Sequence, residues 1–194
     1  MAHNSTHKRY LLLISVHGLI RGQELELGCD ADTGGQVKYV IELADSLSRR
    51  DEFEQVDLFT RLISDKTVSE DYANTIEPVN EKFRIVRIQC GGRKYVRKEL
   101  LWPHLDEFVD KTIKLIKRSN AIPDVFHGHY ADAGYVASQL AEIFGVPFIY
   151  TGHSLGRSKL SRLLDEGMPE KDIIKKYRID HRIRIEEEVL KQAD

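Results

Sequence analysis

Short apolar runs alternate with amphipathic stretches from end to end of this chain, and that alternation leaves few folds open. Residues 10–15, with the run Leu11-Leu12-Leu13-Ile14, read as a strand buried on both faces. Val37, Val40, Ile41, Ala44 and Leu47 then recur at helical spacing. Further strands are predicted at 56–60, 83–90, 125–127 and 148–151, the last two each following a proline, Pro123 and Pro147. Between them the spacing predicts a helix over 99–120, with Leu101, Leu105, Phe108, Thr112, Leu115 and Ile116 on one face and Pro103 in its first turn. Another is predicted over 133–144, ended by Gly145, and two more over 154–166 and 171–193 around Gly167-Met168-Pro169. Strands alternating with helices of this length give βαβ units. The expected class is therefore α/β, a Rossmann-like doubly wound parallel sheet in a single domain over 1–194. The last predicted helix runs to Asp194 with no C-cap and no closing strand, so a further domain is expected to follow.

Composition closes off the other classes. Lys plus Arg number 29 against 31 Asp plus Glu, a net charge of −2, which lacks the basic excess needed to coat nucleic acid or anionic lipid. The longest wholly apolar run, Leu11 to Ile14, falls far short of the ~20 residues of a spanning helix, so no membrane partner is expected. Two cysteines, Cys29 and Cys90, are too few for a disulfide framework. The N-terminus, Met-Ala-His-Asn-Ser-Thr-His, has no signal-type apolar core, and a reducing, cytoplasmic setting is expected.

In doubly wound sheets ligands lie beyond the carboxyl ends of the strands, near the point where strand order reverses. Four segments fall there. After the first strand, Thr33 and Gln36 have capping-box spacing, and Gly34 and Gly35 would leave backbone N–H groups open at a helix N-terminus, suited to a phosphate or a sugar hydroxyl. Asp30 and Asp32 just before could hold Mg²⁺ or serve the helix start. After the strand at 125–127, His127 and His129 share one face and could meet a metal or a polyol, with Asp132 a candidate N-cap. After the strand at 148–151 come His153, Ser154 as a candidate cap, Arg157 and Lys159, a set suited to an anion or a sugar. The segment 93–99 is basic and reads either as a solvated turn or as a phosphate clamp. Neither the dinucleotide fingerprint, the Walker loop nor the nucleophile elbow is present.

Taken in order, these segments resemble one family. They are His17-Gly18-Leu19-Ile20-Arg21-Gly22, Asp32-Thr33-Gly34-Gly35-Gln36, Lys98-Glu99-Leu100-Leu101-Trp102-Pro103-His104, His127-Gly128-His129-Tyr130-Ala131-Asp132-Ala133-Gly134 and Thr151-Gly152-His153-Ser154-Leu155-Gly156. The chain resembles the sucrose-phosphate synthases over nearly its whole length, with the sucrose synthases as the nearest relatives. The resemblance implies a retaining glycosyltransferase of the two-domain GT-B kind, moving glucose from UDP-glucose to fructose 6-phosphate, with no metal or other cofactor. It implies that this chain is the N-terminal, acceptor-binding half and that the C-terminal donor half is absent, so the chain alone would be inactive or a sugar-phosphate-binding module. By position, Gly34, Gly35 and Gln36 match the loop that meets acceptor and donor phosphate, and Lys98 and Lys159 match lysines near the acceptor phosphate. His153 matches the histidine where the glucosyl group crosses, the catalytic candidate, and His129 belongs to the acceptor-side cluster. In place of the family's adjacent arginine pair stands His181-Arg182-Ile183-Arg184; Arg182 is the better match, Arg178 and Arg184 the weaker ones.

Overall fold

The computed structural model describes residues 8–194; the reading of the first seven residues as lacking a signal-type core lies outside them. Six strands form one sheet: β1 (Arg9–Ile14), β2 (Phe53–Arg61), β3 (Ile76–Pro78), β4 (Phe83–Ile88), β5 (Val125–His129) and β6 (Phe148–Thr151), in the order β3-β4-β2-β1-β5-β6. All neighbours pair in parallel except β3, which runs antiparallel to β4 at the edge. The expected α/β doubly wound class is thus the observed one. Strand order reverses between β1 and β5, the place where doubly wound sheets generally take their ligands. β3 escaped the sequence pattern because three residues ending in a proline carry no periodicity.

The six helices are α1 (Gly35–Ser48), α2 (Leu105–Ser119), α3 (Ala131–Phe144), α4 (Gly156–Asp165), α5 (Glu170–Tyr177) and α6 (Ile179–Gln192). Side chains of the central strand alternate between two cores. Leu11 and Leu13 pack with Val37, Val40, Ile41 and Ala44 of α1. Leu12 and Ile14 pack on the opposite face with Phe108 of α2, Val136 and Leu140 of α3 and Val189 of α6. Gly128 allows the close approach of β5 to α3, since a Cβ there would stand 2.7 Å from the Ala133 carbonyl oxygen.

Several local expectations are corrected. The helix expected over 99–120 begins only at Leu105; two 3₁₀ turns, Lys98–Leu100 and Trp102–His104, precede it, the second built around Pro103. Leu115 is exposed rather than on the buried face. The helix expected over 171–193 breaks at Arg178, whose φ of 48° is left-handed and starts α6 in a new direction. That break lets Ile173 and Ile179 close on Leu163 in a small separate core. The chain end also leaves the helix: the Phe148 N–H donates to the Asp194 carboxylate at 2.9 Å, and the Asp194 N–H donates to the Phe148 carbonyl at 2.9 Å.

The expected caps differ as well. Gly34 is the N-cap of α1 with no side-chain bond. Thr33 Oγ1 accepts instead from the Leu19 N–H at 3.0 Å, and Gln36 donates to Ser15 Oγ at 3.2 Å. Tyr130, not Asp132, caps α3, and Leu155, not Ser154, precedes α4. The first N–H of α4, that of Gly156, donates to the Glu186 carboxylate from α6 at 2.6 Å, so a residue distant in sequence does the capping.

Candidate functional site

The site is assembled from the segments just beyond β1, β5 and β6, closed over by the 3₁₀ turn at Lys98 and the start of α6. It contains a pocket whose lining includes Lys98, Glu99, Tyr130, Asp132, Lys159 and Arg182. Arg182 is buried and held from two sides: Nε donates to Glu186 at 2.7 Å and Nη2 donates to the Ser154 carbonyl. Nη1 has no hydrogen-bond partner among the described residues. Its guanidinium carbon lies 4.2 Å from the Tyr130 ring centre.

Lys98 reaches Asp32 with both its ammonium and its backbone N–H, the latter at 2.9 Å, and this pairing holds the Asp32 carboxyl below its ordinary range despite burial. The turn before α1 is thereby tied to the pocket. Asp30 accepts from the Asp32 and Thr33 N–H groups at 2.6 and 2.8 Å, so the two aspartates serve a turn and an ion pair. Among the described residues, no three or more His, Cys, Asp or Glu side chains are arranged to hold a metal ion.

Lys159 differs from its neighbours. Its ammonium lies 3.8 Å from the centre of the Tyr177 ring and makes no ion pair among the described residues. Burial, then the charges of Lys98 and Arg182, push its pKa down to about 8. A dianion entering here would relieve that repulsion and meet two donors, Lys159 and the free edge of Arg182.

On the other side of Tyr130 three imidazoles lie in a row. The rings of His127 and His129 are 4.0 Å apart, and His129 Nδ1 lies 3.1 Å from His153 Nε2. His127 is anchored to Thr151 Oγ1 at 2.8 Å, and Tyr39 of α1 meets the His153 ring edge-on at 5.1 Å. Burial comes first, then the neighbouring imidazoles, in holding His127 at about 4 and His129 at about 2. His153 is lowered too, by burial and by His17, so near pH 7 the row is uncharged and acts through hydrogen bonds.

Two backbones here are strained. Tyr130 has φ 78° and ψ 167°, a region essentially reserved for glycine, and His153 has φ 53°. The Tyr130 conformation sets its ring between His17, at 4.7 Å, and Arg182. At the α1 entrance, a Cβ on either Gly34 or Gly35 would meet nothing within 4 Å, so the backbone there is open to a ligand.

The family model for the first GT-B domain of sucrose synthase matches residues 8–185. The chain belongs to that family. Among its relatives, sucrose-phosphate synthase 4 of Arabidopsis thaliana is 43% identical over 212 residues, covering 98% of this chain and 20% of the relative. The sucrose-phosphate synthase of Zea mays is 45% identical over 217 residues, with the same coverage of 98% and 20%. The chain thus spans about a fifth of the length of these relatives. The solved sucrose-phosphate synthase of Thermosynechococcus elongatus matches with a TM-score of 0.75 at 26% identity, over 96% of this chain and 41% of that one.

Within this GT-B domain, Lys98, Lys159 and Arg182 come together in one pocket. Gly34, Gly35 and Gln36 lie at the α1 entrance, joined to Lys98 through Asp32, and His153 meets α1 at Tyr39. The structure does not bring in the others. Arg178 and Arg184 are exposed outside the pocket, and Arg157 pairs with Glu187 at 2.7 Å on the surface. His129 is fully buried beneath His153 and meets no open space itself. Of the basic segment 93–99, Arg93, Lys94 and Arg97 are solvated while Lys98 turns inward. The residue reading missed His17, Tyr130, Tyr177 and Glu186. His17 and Asp132 bond at 2.7 Å across 115 positions, and only their shared placement beyond strand ends could have hinted at the pair.

Proposed function

We propose that residues 1–194 form the N-terminal, acceptor-binding domain of a sucrose-phosphate synthase-type glycosyltransferase, which moves glucose from UDP-glucose to fructose 6-phosphate. The observation that carries this reading is the gathering of Lys98, Lys159 and Arg182 in one pocket, where the half-buried Lys159 ammonium makes no ion pair among the described residues. A free sugar would have no use for that arrangement, whereas a sugar phosphate supplies the missing anion. Gln36 and His153 then offer neutral hydrogen bonds to hydroxyls, and the open N-terminus of α1 at Gly34 and Gly35 suits phosphate oxygens. Glycosyl transfer builds positive charge at the anomeric carbon and negative charge on the departing diphosphate, so catalysis is placement and electrostatics between two closing domains. The donor would be held by the second, C-terminal GT-B domain. No cofactor beyond the nucleotide sugar enters, and the free thiols Cys29 and Cys90 suit the cytoplasm.

The description of the matching family favours a second reading, a sucrose synthase-type acceptor site for free fructose. UDP release by an enzyme joining this domain to its second GT-B domain separates the two. Fructose 6-phosphate is expected to support turnover and fructose to fail; the reverse would select the second reading. The 194-residue chain alone is expected to bind fructose 6-phosphate and to form no sucrose phosphate.

A further inference from the structure

Tyr39 stands on α1 one helical turn beyond Gly35, so it shares the face of the helix that starts at the site entrance. Its neighbours Val37, Val40 and Ile41 are buried, whereas Tyr39 is 46% exposed and belongs to none of the hydrophobic cores. Among the described residues its hydroxyl has no hydrogen-bond partner. The ring meets two imidazoles instead: His153 at 5.1 Å, with the planes 82° apart, and His129 at 6.1 Å. The fold therefore asks little of this side chain, and its one specific relationship is to the histidine row.

His153 follows β6 on a left-handed turn, and its Nε2 lies 3.1 Å from His129 Nδ1. His129 is itself held, stacked at 4.0 Å on His127, which is anchored to Thr151 at 2.8 Å. His153 Nδ1 has no hydrogen-bond partner among the described residues and is the ring nitrogen left for a ligand. One hydrogen bond fixes where one ring atom lies and leaves the ring free to tilt about it. A second contact, from another element, sets the plane and with it the direction of Nδ1. Tyr39 supplies that contact in the perpendicular arrangement that aromatic pairs favour.

We propose that Tyr39 is a positioning residue for the transfer step: its ring fixes the plane of His153 and so aims the free Nδ1 at the sugar hydroxyl that His153 meets as the glucosyl group crosses. The inference rests on the reading of His153 as the catalytic residue of an acceptor domain. The Tyr39 hydroxyl takes no part. Without the ring, His153 keeps its bond to His129 but samples other tilts, so fewer bound complexes are productive. The acceptor phosphate, held at Lys98, Lys159 and Arg182, binds as before.

The test compares Tyr39→Leu and Tyr39→Phe in an enzyme joining this domain to its second GT-B domain, by UDP release from UDP-glucose with fructose 6-phosphate. Tyr39→Leu is expected to lower kcat by about 2- to 12-fold, the worth of one aromatic pair, with KM for fructose 6-phosphate and melting temperature unchanged. Tyr39→Phe keeps the ring and should restore kcat. In a His153→Ala background Tyr39→Leu should cost nothing further, since it acts through that ring. An unaltered kcat in Tyr39→Leu, an equal loss in Tyr39→Phe, or an undiminished loss in the His153→Ala background would overturn the proposal while the acceptor reading stands. If wild type uses fructose in place of fructose 6-phosphate, the phosphate reading fails and the same comparison is made with fructose, where the proposal keeps its expected results. Turnover with neither sugar would remove both.

Discussion

The Lys159 ammonium stands 3.8 Å from the centre of the Tyr177 ring, on the far side of the α5–α6 break from Arg182. The ring gives it partial compensation, and the neighbouring charges of Lys98 and Arg182 take more away. The pocket is thus built with a cation at a cost to the empty fold, and on the proposed reading an entering anion recovers that cost.

That cost has a pH signature. Lys159 titrates at about 8 when folded, against an ordinary value near 10.5. The unfolded chain holds the proton more tightly, so stability should rise as pH climbs from about 8 toward 10.5. Binding should move the opposite way: fructose 6-phosphate affinity falls as pH passes about 8 and the ammonium is lost. Urea unfolding and calorimetry between pH 7 and 10 check both trends. Lys159→Met is expected to flatten each.

The histidine row gives the converse at acid pH. His127 at about 4 and His129 at about 2 refuse protons that an unfolded chain accepts near its ordinary value of about 6.5. Both folded values are depressed, so stability is intact above 6.5 and is lost as pH falls below it, through about 4 and on toward 2. Urea midpoints at pH 7.0, 6.0 and 5.0 should fall in sequence, and His127→Gln should make the decline shallower. An unchanged slope in that variant would show that the row does not govern acid lability.

Glu186 ties α6 to both halves of the site, accepting from Arg182 at 2.7 Å and from the first N–H of α4 at 2.6 Å. Glu186→Ala leaves a buried guanidinium without its counter-charge and the helix end uncapped. The expected loss is about 3–5 kcal/mol in urea unfolding. Substituting the exposed Arg184 should cost under about 0.5 kcal/mol.

His153→Ala, in an enzyme joining this domain to its second GT-B domain, should lower turnover far more than acceptor affinity. His153 is lodged between Tyr39 and His129 on a left-handed turn, so its ring is preorganised and half open. Loss of one such donor costs roughly 2.7–4 kcal/mol, or about 10²–10³ in rate. Turnover, acceptor affinity and melting temperature measured together decide it, since a parallel fall in stability and affinity would assign His153 to support of the turn.

The sheet was legible because Leu11–Ile14 and the later apolar runs are buried on both faces, where composition alone names a parallel strand. The α1 face was legible because a single amphipathic stripe has one place to pack. The break at Arg178 was not, since a left-handed arginine is chosen by the packing of Ile173 and Ile179 and not by local propensity. The same holds for caps: Thr33 and Ser154 have the right chemistry, but distant partners, Leu19 and Glu186, decided what was satisfied and how. At the site, resemblance named the cations. The pairs that orient them, Lys98 with Asp32 and Arg182 with Glu186, depend on contacts that sequence spacing reveals only for the second, at i and i+4. The strained backbone of Tyr130 leaves no mark in sequence at all.

The central claim is that the Lys159 pocket reads a sugar's phosphate, and calorimetry of the 194-residue chain with fructose 6-phosphate and fructose, wild type beside Lys159→Ala, tests it most directly. Wild type should bind fructose 6-phosphate saturably and far more tightly than fructose. The substitution should weaken fructose 6-phosphate by about 10- to 150-fold, the worth of a charge-assisted contact of ~1.5–3 kcal/mol, and leave fructose nearly unchanged. Equal losses for both sugars, or undiminished fructose 6-phosphate binding in Lys159→Ala, would contradict it.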